Sequence, residues 1–120
     1  MLQLDTSKYL FNGESLLKGR LVLAVVKDYV GKNPETTFND LKKAFPDEWH
    51  NKSAKGEVFV RLNDAEKLFN DKGHRRHFFK EGETIQLVDE VVAISNQWGV
   101  KNIDAFVDGS NQNHKADISK

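Results

Sequence analysis

The chain has 120 residues, of which 38% are hydrophobic and 10% aromatic, so it suits one domain with a single core and is too short for two. Its 18 basic and 18 acidic residues balance, and the total charge therefore gives no reason to expect a nucleic-acid partner. The absence of cysteine excludes disulfides and thiolate metal sites, and it fits a reducing cytoplasm.

The apolar run at 21–26 is too short to span a membrane. Acidic residues, Asp5 and Glu14, precede it, and no small-residue cleavage site follows it, so a signal peptide is not expected. We therefore predict a cytoplasmic protein without a membrane partner.

The first predicted element is a short strand at Lys8–Phe11, which ends in a turn at Asn12-Gly13 and is expected to pair with a later strand. Residues 15–32 then predict the central helix of the core. Apolar residues recur there at i, i+4 and i+8 in two rows that cover about half of the helix surface: Leu21, Val22, Val25, Val26, Tyr29 and Val30. A buried strand at 21–26 is the alternative, but the spacing persists beyond it and favours the helix.

Residues at both ends of this helix indicate where it begins and ends. Glu14 and Ser15 supply an acidic first turn and an N-cap, although Gly19 would also allow a later start. Gly31 and Pro34 end the helix, because glycine permits a left-handed cap and proline disfavours helical geometry in the residue before it.

A second helix begins after Thr37, with Asp40 placed to complete a capping box, and Pro46 ends it. Its apolar stripe at i, i+3 and i+7 consists of Phe38, Leu41 and Phe45. The polar segment 46–56 predicts a loop with a single helical turn at 47–50, which Trp49 anchors.

Two patterns overlap in the next segment. Val58, Val60 and Leu62 alternate as in a strand, whereas Val58, Leu62, Ala65 and Phe69 share one helical face. We predict a helix at 63–70 and leave 58–62 open between strand and helix.

Three β-rich runs at 74–79, 84–88 and 91–94 are separated by turn-length polar pieces and predict an antiparallel meander. A loop with Trp98 leads to a last amphipathic helix, with Gly109 as its C′ residue. Residues 111–120 hold almost nothing to bury, which predicts a flexible tail behind a single globular domain at 1–110.

These elements predict an α+β fold of three to four helices with a short antiparallel β-meander. The order of two helices, a third helix and a β-hairpin resembles winged-helix domains at the level of architecture. One departure is the segment 46–56, which is longer than the usual turn before a recognition helix.

Charge is unevenly distributed along the chain. Residues 51–80 carry a net charge of +4, and residues 81–120 carry −4. This polarity would suit a basic face for phosphates, but two segments that attract each other within the fold would give the same pattern.

Motifs for chemistry are weak in this sequence. His74 and His77 are three residues apart, so on a strand they would point to opposite faces, and the arginines between them oppose a cation site. Asp47 and Glu57 suggest a nuclease motif, but Phe59 stands where its lysine should be. Glycine-rich phosphate loops, nucleophile elbows and cysteine nucleophiles are absent, so we predict a non-enzyme without metal or cofactor.

The leading hypothesis is a small nucleic-acid-binding module, a winged-helix-like DNA-binding or accessory factor that contacts double-stranded DNA. Its predicted phosphate contacts are Arg61, Lys67, Lys72, Arg75, Arg76 and Lys80. The alternative is a protein-interaction module, such as an inhibitor, a specificity subunit or an antitoxin-like partner, which fits the balanced total charge equally well.

Overall fold

The computed structural model describes residues 8–50 and 56–120, and these residues form a small α+β domain with four α-helices and two antiparallel sheets. The elements are β1 (Lys8–Phe11), β2 (Glu14–Leu17), α1 (Lys18–Lys32), α2 (Phe38–Ala44), a 3-10 helix (Asp47–Trp49), β3 (Phe59–Arg61), α3 (Leu62–Lys72), β4 (His77–Phe78), β5 (Ile85–Gln86), β6 (Val91–Ser95) and α4 (Ile103–His114). None of the helices in these two parts of the chain is long and apolar enough to cross a bilayer.

The predicted strand at Lys8–Phe11 is confirmed, and it pairs with β2 in an antiparallel hairpin. Asn12 and Gly13 have φ values of 50° and 81°, the left-handed region that a tight hairpin turn requires. Ser15 therefore lies in a strand, and the prediction that it caps the helix is wrong. The helix begins at Lys18, after Leu17, whose side chain makes no capping hydrogen bond.

The predicted central helix is confirmed as α1, so the alternative of a strand at 21–26 is wrong. Leu21, Val22 and Val26 are fully buried. The helix contacts the hairpin, β6 and α4, which explains why its apolar face is wide. Gly31 lies inside the helix, which ends at Lys32.

The capping box of α2 is confirmed. The backbone N–H of Asp40 donates to the Thr37 hydroxyl (3.1 Å), and the Thr37 N–H donates to the Asp40 carboxylate (3.2 Å). These two bonds hold the pKa of Asp40 below its usual value despite the opposing effect of desolvation. The predicted helical turn after Pro46 is confirmed as the 3-10 helix.

The larger sheet is built around β6. Phe59 of β3 pairs with Ile94 on one side, while His77 of β4 pairs with Ser95 on the other side. The strand β5 pairs with β6 on that same side, through Ile85 and Val92. The predicted meander is therefore wrong, because β4 and β5 pair with successive parts of β6 and not with each other.

Both sheet faces are covered at β6, where Val92, Ala93, Ile94 and Ser95 are all buried. The main core, which includes Val92 and Ile94, lies between the sheet and the helices α1, α2 and α4. The other face is covered by α3, whose Ala65 is buried. The predicted helix at 63–70 is confirmed, and the open segment 58–62 contains β3 and the first residue of α3.

The end of the chain differs from the prediction. Helix α4 continues through Gly109 to His114, so the prediction of Gly109 as C′ is wrong. Beyond the helix, the Asn111 side chain bonds both backbone groups of Ile118, and Ser119 exchanges two backbone hydrogen bonds with Leu10. Ile118 is buried. We predicted a flexible tail at 111–120, and these contacts do not fit that prediction.

Candidate functional site

All six predicted phosphate contacts are exposed, but they do not form one continuous row. Arg61 lies opposite Val92 of β6. The backbone carbonyls of Arg75 and Arg76 instead bond to Asn96, four residues farther along. At about 3.3 Å per strand residue, the two groups are about 13 Å apart along the direction of β6, and they also lie on opposite edges of this strand.

Arg61 already has an acidic partner within the domain. Its Nε lies 3.1 Å from Glu90 Oε2, and its guanidinium carbon lies 4.1 Å from the centre of the Phe38 ring. This ion pair joins the basic middle of the chain to its acidic last third, as the model of two attracting segments predicts. Arg61 is consequently less available to an external phosphate than an unpaired arginine would be.

Lys67 and Lys72 lie on α3, whose overall charge is slightly acidic. The helix also carries Asp64, Glu66 and Asp71, which gives it a net charge of −1. Lys67 is separated from two of these acids by three and four residues, so they are its neighbours on the helix surface. The helix therefore lacks the positive face expected of an element that enters a DNA groove.

Residues 73–76, which we call the arginine loop, connect α3 to β4. Gly73 ends the helix in the left-handed conformation, with φ of 72°. Asn96 then fixes the backbone of both arginines, because its side-chain amide donates to Arg75 O (3.1 Å) and its backbone N–H donates to Arg76 O (3.0 Å). The loop is thus anchored to the end of β6.

The side chain of Arg75 is also held in place. Its guanidinium carbon lies 4.6 Å from the centre of the Phe69 ring and 4.4 Å from that of the Phe79 ring. The two rings are inclined at 67° to each other, so the guanidinium contacts both but can lie flat on one at most, and the N–H donors that point away from the rings remain available. Arg75 can therefore accept an oxyanion without giving up these contacts.

Lys80 begins the turn that follows Phe79. Its backbone N–H donates to the Glu83 carboxylate (3.0 Å), which also pairs with Arg20 of α1 (2.7 Å). Five of the six predicted contacts make no ion pair within 4.0 Å in the parts of the chain that the structure describes. They are Lys67, Lys72, Arg75, Arg76 and Lys80.

A pocket of about 410 Å³ lies next to the arginine loop. The pocket is lined by residues of α3 and β3, by residues at the paired ends of β4 and β6, and by the residue that follows the 3-10 helix. The lining includes His50, Val60, Asp64, Leu68, Arg76 and His77. Ser95 also lines the pocket and is almost completely buried. We call this cavity the histidine pocket.

His50 and Ser95 are hydrogen-bonded, with 3.2 Å between Nε2 and Oγ. The Gln97 N–H donates to Ser95 Oγ, which leaves the hydroxyl proton for His50 Nε2. A serine protease triad would also require a carboxylate on Nδ1, but this atom is buried and has no hydrogen-bond partner in the described residues. The pair therefore lacks the third member of a triad.

Both histidines of the pocket favour the neutral form. Burial lowers the pKa of His50. The Gln97 backbone, which lies near the ring without the geometry of a full hydrogen bond, and the charges of Asp47 and Glu57 oppose this shift. Burial, together with the nearby His50 and Arg76, lowers the pKa of His77 to about 4. Among the described residues, no group of three or more metal-ligating side chains is present, and His74 is exposed at the surface.

We expect acid to destabilise this domain partly through His77. The unfolded chain binds a proton on this ring below about pH 6.5, whereas the folded chain binds it only near pH 4, so stability is lost as the pH falls between these values. Replacing His77 with Phe should reduce this loss of stability by about 1 to 2 kcal/mol. This range allows for solvent screening, because the ring is partly exposed. Urea unfolding at pH 7 and pH 4.5 measures the difference.

The matched control is His74→Phe, because His74 is exposed and lies three residues earlier. Its loss of stability between the two pH values should equal that of the unaltered protein. If His77→Phe also follows the unaltered protein, the His77 ring is not held neutral by the fold.

Three residues that shape this region are absent from the predicted site: His50, Ser95 and Asn96. The last two are polar residues at the end of an aliphatic strand, which is a local signal for a loop that positions other groups. Their partners are distant in sequence, since Asn96 bonds to Arg75 and Ser95 bonds to His50. The strand pairing that brings these residues together is not visible in the local pattern.

The chain matches no protein-family model, and comparisons with curated proteins and with solved structures find no significant similarity. A function for the arginine loop and the histidine pocket must therefore follow from their own contacts.

Proposed function

We propose that this domain binds nucleic acid through backbone phosphates, with the arginine loop as the principal contact. The observation that supports the proposal is the placement of Arg75. Asn96 holds its backbone, Phe69 and Phe79 hold its guanidinium, and no acidic residue of the described chain pairs with it.

Such an arginine is well suited to phosphate. A guanidinium presents its donors in a rigid fork that matches two phosphate oxygens, and charge-assisted bonds of this kind are among the stronger hydrogen bonds of proteins. A flexible surface arginine loses rotamer freedom when it binds. Contacts that already restrict Arg75 reduce this entropic cost, so more of the interaction energy appears as affinity.

Arg76, Lys72 and Lys67 would add charge around Arg75. Arg76 is the next residue of the loop, and Lys72 ends α3 immediately before it. Lys80 follows β4 and extends the same part of the chain. We place Arg61 at the margin of the interface, because it is paired with Glu90.

We further propose that the module is winged-helix-like and cytoplasmic. The strand before α3 pairs with the last strand of the sheet, and α3 leads through the arginine loop into the remaining strands. The net negative charge of α3 argues against its use as a recognition helix. We therefore expect binding to double-stranded DNA with weak sequence preference.

A protein-interaction module is the second candidate. Leu10 and Leu17 are each 47% exposed, and they lie on the face of the β1–β2 hairpin that points away from the buried Tyr9. The Arg61–Glu90 pair also fits a domain whose opposite charges attract each other. This candidate predicts no measurable duplex binding at low salt.

Salt dependence tests the proposal. Each neutralised phosphate contributes about −0.9 to the slope of log affinity against log salt concentration. The double variant Arg75→Ala, Arg76→Ala should therefore bind a labelled duplex more weakly and with a slope shallower by about one to two units. Fluorescence anisotropy at several salt concentrations measures both quantities. The loss of two exposed cation–π contacts of Arg75 should lower the stability by about 1 to 2 kcal/mol, so binding is measured well below the melting temperature of the variant.

Arg61→Ala is the control, because it also removes an exposed arginine, but one that is paired with Glu90. Its slope should remain within half a unit of the unaltered protein, by the same counting of roughly one unit per phosphate. Unaltered duplex affinity in the double variant would remove the arginine loop from the interface. An absence of binding by the unaltered protein at low salt would refute the proposal and leave the protein-interaction candidate.

A further inference from the structure

The histidine pocket adjoins the proposed phosphate contacts, and Arg76 belongs to both. We infer that this pocket holds a single nucleobase that carries an exocyclic amino group, with the phosphate of the same nucleotide at Arg76. The inference rests on the proposed function for the choice of ligand, and its test separates the two.

The dimensions of the pocket fit a small planar ligand. Its volume of about 410 Å³ falls within the range of roughly 300 to 1,000 Å³ that small-molecule sites occupy. It is a concave site between a helix and a sheet, and its position beside the arginine loop would allow one nucleotide to reach both. The lining residues therefore determine which chemical class of ligand can bind.

The walls offer apolar and aromatic surface to the faces of a base. Val60 of β3 and Leu68 of α3 are both partly exposed within the pocket. The imidazole rings of His50 and His77 lie beside them and favour the uncharged form. Flipped or unstacked bases are held in proteins by packing against apolar and aromatic side chains of this kind.

Polar groups in the lining determine which edge of the base can enter. Asp64 and Glu57 contribute carboxylates, which only accept hydrogen bonds when ionised. Glu57 is engaged by Lys42 at 3.3 Å, whereas Asp64 has no ion pair among the described residues. An amino group on adenine, cytosine or guanine would satisfy Asp64, while uracil has no amino group to offer.

The same carboxylates fix the orientation of the nucleotide. A phosphate placed among Asp64 and Glu57 would face two like charges, and the neutral histidines would not compensate for them. The arginine at the rim offers the favourable position for that phosphate. The base therefore points inward and the phosphate remains at Arg76.

The two histidines of the pocket also carry unsatisfied polar atoms. His50 and His77 each have a buried Nδ1 without a hydrogen-bond partner in the parts of the chain that the structure describes. Buried polar atoms are nearly always paired in native proteins, by protein, water or ligand. Each of these two atoms exposes less than 1 Å² of surface, so a ligand in the pocket could bond to it only after the ring turns toward the cavity.

Two sources could supply the nucleotide, a free mononucleotide or an unpaired base within a nucleic-acid chain. The first experimental arm titrates the full chain with AMP, CMP and UMP and follows the amide NMR shifts of Val60 and Leu68. AMP or CMP should bind at least about fivefold more tightly than UMP, since uracil can offer Asp64 only its N3–H, and the carbonyl oxygens on either side of that group would face the carboxylate. The second arm uses a single-stranded oligonucleotide with one 2-aminopurine, whose fluorescence reports the environment of that base.

Asp64→Asn and Asp71→Asn form a matched pair of variants. Both positions are exposed on α3, but only Asp64 lines the pocket. Asp64→Asn should reduce the preference for AMP and CMP over UMP, because the new amide can also donate to a uracil carbonyl, whereas Asp71→Asn should retain the preference. A variant that fills the cavity, Leu68→Trp, should remove both the nucleotide shifts and the 2-aminopurine signal.

The outcomes separate the pocket from the proposed function. Salt-dependent oligonucleotide binding without any nucleotide shift or 2-aminopurine change overturns the pocket inference and leaves the phosphate contacts standing. Nucleotide binding that Asp64→Asn alters, without any oligonucleotide binding, supports the pocket as a site for free nucleotides and overturns the proposed function. Equal binding of AMP, CMP and UMP in the unaltered protein and in Asp64→Asn also overturns the inference.

Discussion

Val26→Asp is expected to abolish cooperative folding of this domain. Val26 is fully buried in the centre of α1, where the helix packs on the main core. A carboxylate at this position would lose its hydration and gain no partner, at a cost of several kcal/mol, which is comparable to the whole stability of a small domain. Circular dichroism during urea titration should show no cooperative transition.

The neighbouring substitution Lys27→Asp provides the control. Lys27 is exposed, and its known contact is a hydrogen bond from the ammonium group to the carbonyl of Gly82. Losing an exposed bond of this kind costs about 1 kcal/mol or less. If Val26→Asp and Lys27→Asp unfold at the same urea concentration, residue 26 does not face the core as the structure describes.

Gly109→Ala is expected to destabilise the domain by about 1 to 3 kcal/mol, because it overpacks a rigid contact. A Cβ atom on Gly109 would lie within 2.7 Å of three atoms of the Trp49 ring, the nearest at 2.4 Å. The ring cannot easily withdraw, since it packs edge-on against Phe45 and Phe106. The substitution would therefore displace the 3-10 helix or bend α4, and the urea midpoint measures the cost.

This result would reverse the usual effect of alanine in a helix, which gains up to about 1 kcal/mol over glycine. Gly31→Ala in α1 is the comparison, because a Cβ atom there has nothing within 4 Å. We expect that variant to be slightly more stable than the unaltered protein. Stabilisation by Gly109→Ala of the same size would contradict the close packing of Trp49 on α4.

Local patterns were sufficient to predict that the helices exist, although they misplaced the start of α1 and the end of α4. The width of the apolar face on α1 and the capping box at Thr37 are properties of residues within one or two turns, so the sequence displays them directly. The ambiguous segment 58–62 also has a local explanation. It contains the end of one element and the start of the next, and each pattern was correct for its own part.

Long-range contacts explain the errors. Glycine after an apolar stripe usually ends a helix, but Gly109 instead provides space for Trp49, which lies 60 residues away. The strand at Glu14–Leu17 exists because it pairs with β1, and its four residues carry no clear period of their own. The register that places β4 and β5 on one edge of β6 is equally invisible in local sequence.

In the candidate site, too, local features could be predicted and long-range partners could not. Exposed cations at 67–76 could be predicted from composition and turn signals, and the structure places them at the surface. The partner of Arg61 is Glu90, 29 residues away, and the partner of Arg75 is Asn96, 21 residues away. Sequence alone could not show that Arg61 is paired with an acid, whereas Arg75 is held in place without an acidic partner in the described residues.

The central position of β6 has a consequence for synthesis of the chain on the ribosome. Every strand that pairs with β6 precedes it in sequence, so β3, β4 and β5 are made before their common partner exists. Until residues 91–95 emerge, these three strands have unsatisfied backbone groups, which can pair with other chains. The β1–β2 hairpin and α1 pair with no later strand and can form early, while the larger sheet has to wait until Ser95 at the end of β6 has been made.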